Sequence, residues 1–182
     1  MTLTKRGEYA LRTMIRLGIA EWNSEGVISV SNIAHQEHLP FKFLEAILFE
    51  LRTAGYVESV RGKYGGARLA KPMKAIKMGD IVRLIDGKLA PIGCASETEY
   101  VKCSCPDEEH CGLRMLMIDV RNAIANILDK YTLFDVVEVT LRKQELEKQE
   151  APKKKAVVKK AARSRNADPA DGFLALLKTG KL

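Results

Sequence analysis

Long apolar runs are missing from this chain. No stretch approaches the roughly 18–20 consecutive apolar residues that a bilayer span requires. The start, MTLTKRGEYALR, lacks the apolar core of a signal peptide. These absences point to a cytoplasmic protein with no membrane partner. Also missing are a nucleophile–base pair, a phosphate loop and a substrate-binding glycine motif, so an enzyme is not expected. Structural zinc knuckles of the Cys-x-x-Cys kind are absent too. What remains is 182 residues, 46% hydrophobic and 29% charged, enough for one domain of ordinary size and an extended arm.

The organising stretch runs from Ser29 to Ala70. Ser29 stands where an N-cap would stand, ahead of Ile33 and Ala34. Leu39-Pro40 breaks the chain, and proline suits the first turn of the next helix. Leu44, Ile47, Leu48 and Leu51 then recur at i, i+3, i+4 and i+7, one face of a 3.6 period. Ala54-Gly55 ends that helix. Two β-rich runs, Tyr56 to Val60 and Ala67 to Ala70, flank the turn Gly62-Lys63-Tyr64-Gly65-Gly66. Helix, turn, helix and a basic, glycine-tipped hairpin in this order predict a winged helix-turn-helix, which places a helix in the major groove. The fold class expected is mainly α with a small β-wing, the winged helix-turn-helix domain being followed by a long dimerisation helix.

Outside that core the spacing predicts a first helix over residues 4–22. Its stripe is Leu11, Ile15, Gly18, Ile19 and Trp22, its cap Thr4, and Lys5, Arg6 and Arg12 near its start are candidates for phosphate contact. A short helix over Gly79–Asp86 follows the wing. Residues 113–131 carry Leu113, Met117, Val120, Ile124, Ile127 and Tyr131 at alternating spacings of 4 and 3, a narrow heptad seam that fits a partner helix better than a domain core. A last helix runs from Leu133 to about Glu147. The organisation expected is 1–88 for DNA binding, 89–111 a cysteine-rich sensor loop, 112–147 dimerisation helices, and 148–182 a disordered basic tail that includes Asp168-Pro169 and the small apolar patch GFLALLK.

Charge follows the same division. Residues 1–90 hold 14 Lys/Arg against 9 Asp/Glu, residues 91–145 hold 6 against 10, and residues 146–182 hold 10 against 4. Basic ends around an acidic middle suit a protein whose two ends meet phosphate, with double-stranded DNA as the partner.

All four cysteines crowd into residues 94–111, as Cys94, Cys103, Cys105 and Cys111. In a reducing compartment that points to metal or redox chemistry ahead of structural disulfides. An iron–sulfur cluster, four-thiolate zinc, and a thiol switch in which two cysteines pair on oxidation are all open to this donor set. The acidic run Asp107-Glu108-Glu109 is expected to be a solvated loop, and His35 and His110 are weaker ligand candidates. Two further classes are an iron–sulfur redox protein or carrier, and a structural chromosome protein suggested by the lysine-rich tail.

The pattern Ser59-Val60-Arg61-Gly62-x-x-Gly65-Gly66-x-x-Leu69-Ala70 resembles the wing of the Rrf2 family of bacterial regulators. Tyr9-Ala10-Leu11 and Asp86-Gly87 resemble it as well, and the likeness spans about residues 1–145. It implies a homodimeric transcription regulator, expected to repress, that dimerises through its long helix and often carries an iron–sulfur cluster. By resemblance the base-reading positions are Lys42, Glu45 and Arg61, with Gly62, Lys63, Tyr64 and Arg68 also on the DNA-facing wing. Cys94, Cys105 and Cys111 match the family's three ligands. The first gap is longer than usual and Cys103 is additional, so the fourth ligand is either Cys103 or Glu8, the latter supplied by the other subunit. The cluster type, 2Fe-2S or 4Fe-4S, stays open. Without metal, the same chain would regulate transcription by thiol chemistry or by a small molecule.

Overall fold

The computed structural model describes residues 3–62 and 64–157, with residues 149–157 described by their backbone alone. Lys63 and the tail beyond Val157, with its expected disorder, Asp168-Pro169 and the GFLALLK patch, lie outside the described residues. The chain divides into two compact units at Phe134/Asp135. The cysteine segment thus belongs to the same unit as the winged helix-turn-helix. Among the described residues no helix is long and apolar enough to cross a membrane.

Helix α1 spans Lys5–Trp22, and Thr4 caps it as expected, its hydroxyl accepting from the Gly7 amide at 3.0 Å. Asp86 in turn accepts from both the amide and the hydroxyl of Thr4. The buried face of α1 differs from the predicted stripe. Ala10, Met14, Leu17 and Ala20 are buried together with Gly18 of the predicted stripe, whereas Leu11, Ile15 and Ile19 are half-buried and Trp22 is exposed. The helix has two apolar faces, and the one carrying Ala10, Met14, Leu17 and Ala20 is the one the core covers. Trp22 lies on the second face, tilted against Phe134 with ring centroids 5.5 Å apart.

Helix α2 spans Val30–Glu37 under the predicted Ser29 cap, and His38 ends it in the left-handed conformation. Helix α3 spans Phe41–Thr53 and buries the predicted Leu44, Ile47, Leu48 and Leu51. Strands β1 (Val57–Val60) and β2 (Gly66–Leu69) pair antiparallel, Val57 opposite Leu69 and Val60 opposite Gly66. A feature absent from the sequence expectation is a third edge. Ile28 bridges Ala67 through bonds of 3.0 and 2.8 Å, so the chain before α2 extends the wing sheet. Gly66 makes that approach possible: a Cβ there would overlap the Ile28 carbonyl oxygen and stand 2.8 Å from the Ser29 Cα.

Helix α4 (Met78–Asp86) closes the core with Ile81, Val82 and Ile85. Helix α5 (Gly112–Lys130) packs on α4 and on the 3-10 turn Gly93–Ala95, yet none of its residues is fully buried. Leu113, Met115, Leu116 and Ile127 are each more than half exposed. The far end of α5 is fastened through backbone: Met78 donates to the Tyr131 carbonyl at 3.0 Å, and Leu133 donates to the Ile76 carbonyl at 2.8 Å. Arg83 of α4 adds an ion pair to Asp129 at 2.6 Å. Helix α6 runs Leu133–Val157, past the predicted end near Glu147 and into the first ten residues of the stretch expected to be disordered, Pro152 included.

Candidate nucleic-acid interface and cysteine site

Helix α3 turns its buried row inward and leaves Lys42, Glu45, Ala46 and Phe49 outward. Lys42 is 94% exposed and forms an ion pair with Glu45 at 3.6 Å, one turn on. Such an exposed pair contributes little to stability. It can therefore open at little cost when phosphates and base edges become alternative partners. Phe43 sits edge-on to Tyr9 of α1, ring centroids 6.0 Å apart, which fixes the start of α3 on its scaffold. The three α1 cations expected to touch phosphate each have a carboxylate partner within the domain. Lys5 pairs with Glu8 at 2.8 Å, Arg6 pairs with Glu50, and Arg12 binds Glu37 and Glu8.

On the wing, Arg61 and Gly62 are exposed at the tip, with Gly62 at φ +114, and Gly65 closes the turn by donating to the Gly62 carbonyl at 2.9 Å. Tyr64 is 84% exposed. Arg68 is placed differently from its neighbours. It faces Glu58 across the ladder at 2.7 Å, so its charge is balanced within the sheet. Lys63 falls outside the described residues.

The cysteines lie on a segment without regular periodicity, as predicted, but the segment is not loose. Cys94 sits in the turn Gly93–Ala95 and is buried; Cys103 and Cys111 are half-buried and Cys105 is exposed. The thiols neighbour one another in series, Cys94 beside Cys103, Cys103 beside Cys105, and Cys105 beside Cys111. Burial first, then Cys103, pushes the Cys94 thiol up from its ordinary value. A hydrogen bond with Cys103, and then the charge of that thiol, pushes Cys105 up to about 11. The donor chemistry fits a thiolate-bound group, although among the described residues no three His, Cys, Asp or Glu side chains already converge on one point.

Two arginines of α5 fasten this segment. Arg114 Nε donates to the Cys94 carbonyl at 3.0 Å, and Arg121 donates to the Ala95 carbonyl at 2.7 Å while pairing with Glu97 at 3.2 Å. Glu108, expected in a solvated run, is instead mostly covered: its carboxylate meets Tyr100, Cys103 and Arg114. Asp107 does face water and holds His110 at 2.9 Å. Glu8 stays on α1 with Lys5 and Arg12; hydrogen bonding to Lys5 holds its carboxyl below the usual value. His35 is exposed on α2. Neither Glu8 nor a histidine joins the thiols within one chain. Sequence inspection misses Arg114, Arg121 and Glu108 because nothing in an isolated arginine signals a carbonyl 20 or 26 residues away, and no regular period links an acidic run to a thiol five residues before it.

Residues 3–139 match the family model Rrf2, described as "Iron-dependent Transcriptional regulator". The chain is 35% identical over 145 residues to the HTH-type transcriptional regulator CymR of Bacillus subtilis, covering 80% of this chain and 96% of that relative. The solved structure of CymR, the global cysteine regulator of B. subtilis, aligns with a TM-score of 0.63 at 33% identity, over 76% of this chain and 97% of the other. T. potens IscR aligns with a TM-score of 0.59 at 29% identity, over 76% of this chain and 87% of its own.

Proposed function

The chain belongs to the Rrf2 family of transcriptional regulators, and on that footing we propose that it is a homodimeric, sequence-specific DNA-binding repressor that senses its signal through a cysteine-ligated iron–sulfur cluster. The observation that carries this reading is that the segment holding four neighbouring thiols is fastened, at the Cys94 and Ala95 carbonyls, by Arg114 and Arg121 of α5, a long helix with exposed apolar residues. Cys94, Cys105 and Cys111 would hold the cluster, of 2Fe-2S or 4Fe-4S type, with Cys103 or a partner's Glu8 as the fourth ligand. Such a group, when bound, supplies cross-links and charge that oxidants, nitric oxide or iron shortage take away.

The chain's own residues do the rest. Lys42 and Glu45 reach base edges from the first two turns of α3. Arg61 and Gly62 meet the minor groove, where glycine permits close approach and arginine favours the negative potential. The uncovered face of α5, continued by the groove of Leu3, Leu11, Val82, Ile124, Ile127 and Leu128, receives a second copy. The two α3 helices then address half-sites about 34–36 Å apart. A change in the cysteine segment shifts α5 and with it that spacing.

Arg61→Ala tests the DNA part. Against an operator selected from random duplexes it should weaken binding by about 1–3 kcal/mol and relax sequence preference. Unchanged affinity and preference would remove the wing from the interface. Iron and sulfide analysis of protein purified without oxygen tests the sensing part: near-equal iron and sulfide, with a visible chromophore, is the expected result.

A second reading is a metal-free regulator that responds through thiols or a small molecule. It is favoured by the donors not converging within one chain, and by the likeness to a protein named a global cysteine regulator. Colourless, iron-free protein with intact operator binding would select it.

A further inference from the structure

Glu108 stands between three parts of the cysteine segment. Its Oε1 accepts from the Tyr100 hydroxyl at 2.7 Å, and its Oε2 accepts from the Cys103 thiol at 3.7 Å. Arg114 Nε lies 3.3 Å from the same Oε1 and also donates to the Cys94 carbonyl. One carboxylate therefore holds Cys103 directly and Cys94 through a single arginine. Its side chain is 18% exposed, whereas that of the adjoining Asp107 is 60% exposed. Covering a carboxylate is unfavourable unless it is paired, and here both oxygens have donors.

We propose that Glu108 is the positioning residue of the thiol site, gathering Cys94 and Cys103 before any metal arrives and setting the charge beside Cys103 afterwards. The first part stands independently of the cluster reading; the second rests on it. Outer-shell partners of this kind orient ligands, and their loss typically weakens metal affinity by about 10–100-fold. As the fourth ligand, Cys103 would give up its proton on binding metal and would then no longer donate to Oε2. The carboxylate is left against an electron-rich sulfur and favours the more oxidised state. An amide in its place removes the charge and offers an N–H donor, and both changes raise the reduction potential.

The test uses the full-length protein as wild type, Glu108→Ala, Glu108→Gln and Glu108→Asp, each checked for fold by circular dichroism. In metal-free protein, iodoacetamide labelling is followed at each cysteine by mass spectrometry. Glu108→Ala should label Cys103 and Cys94 several-fold faster, with Cys111 unchanged, and Glu108→Asp should recover much of the protection. If the alanine variant unfolds, the glutamine variant takes its place. Rates equal to wild type would overturn the proposal. After anaerobic reconstitution with ferrous iron and sulfide, Glu108→Ala should retain iron about 10–100-fold less tightly. Glu108→Gln should have a higher midpoint potential than wild type. Unchanged retention and potential would overturn the second part. Wild-type protein that takes up no iron while the labelling difference persists would sink the cluster reading and leave the positioning role standing.

Discussion

Substituting Gly66 by alanine should damage the wing in a way that can be worked out in advance. The new methyl group would overlap the Ile28 carbonyl oxygen and press on the Ser29 Cα, and neither is the end of a pliable side chain. The strand edge must part, and with it go the bonds Ile28 N to Ala67 O at 3.0 Å and Ala67 N to Ile28 O at 2.8 Å. Two such bonds are worth about 1 kcal/mol each net. Overpacking adds roughly 1–3 kcal/mol if the strands resist. Gly66→Ala should therefore lose at least about 2 kcal/mol, close to a 30-fold change in the folding equilibrium. With an m-value of about 1–3 kcal/mol/M in urea, the midpoint falls by roughly 1 M at unchanged slope. Gly112→Ala is the internal control. Its Cβ would meet nothing within 4 Å at the start of α5, so the same assay should show no loss or a slight gain. A Gly66→Ala protein within about 0.5 kcal/mol of wild type would refute the third-edge argument.

Ile127, 60% exposed on α5, tests the dimer: Ile127→Glu puts an unpaired charge into the proposed interface and should weaken association by about 2–5 kcal/mol while leaving the monomer fold intact. Light scattering that still reports a stable dimer would move the interface elsewhere. Cys105 tests the thiol series. Its raised value, about 11, keeps it protonated at neutral pH, so alkylation in metal-free protein should climb up to that pH, and Cys103→Ala should bring the midpoint back toward 9.0. A wild-type midpoint at or below 9.0 would contradict the Cys103–Cys105 contact. Deleting residues 158–182, which carry six Lys/Arg and two Asp, should weaken specific and non-specific duplex binding by similar factors and flatten the salt dependence. An unchanged salt slope would leave the tail without a role on DNA.

The elements most legible in the sequence are those where period and punctuation agree. Leu44, Ile47, Leu48 and Leu51 permit only one buried face for α3, and Ser29 and Thr4 are caps that the structure uses as such. Helix α1 is the opposite case: it has apolar residues on two faces, and periodicity alone does not say that the core covers the one with Ala10, Met14, Leu17 and Ala20. The charge pattern shows Arg68 on a basic hairpin; that Glu58 stands across the ladder from it follows from strand register, which the charge pattern does not encode. The cysteine cluster is visible as four thiols in a short span. The network of Tyr100, Glu108, Arg114 and Arg121 around it is not, since each contact joins residues that no local period relates.

The backbone fastening at Tyr131 gives α5 a mechanical character. A rod of 19 residues is about 28 Å long. Its far end is tied by the bonds at Met78 and Leu133 and by the Arg83–Asp129 pair. Its near end runs into Cys111; Arg114, in the first turn, bonds the Cys94 carbonyl, and Arg121, at mid-helix, bonds the Ala95 carbonyl. Such a rod has a fulcrum at one end and a handle at the other. A handle displacement of about 1 Å tilts it by roughly 2° about the fulcrum. Because two copies would lean on each other along this rod, a small tilt in each would add at the distant tips, and the handle is where the sulfur atoms sit.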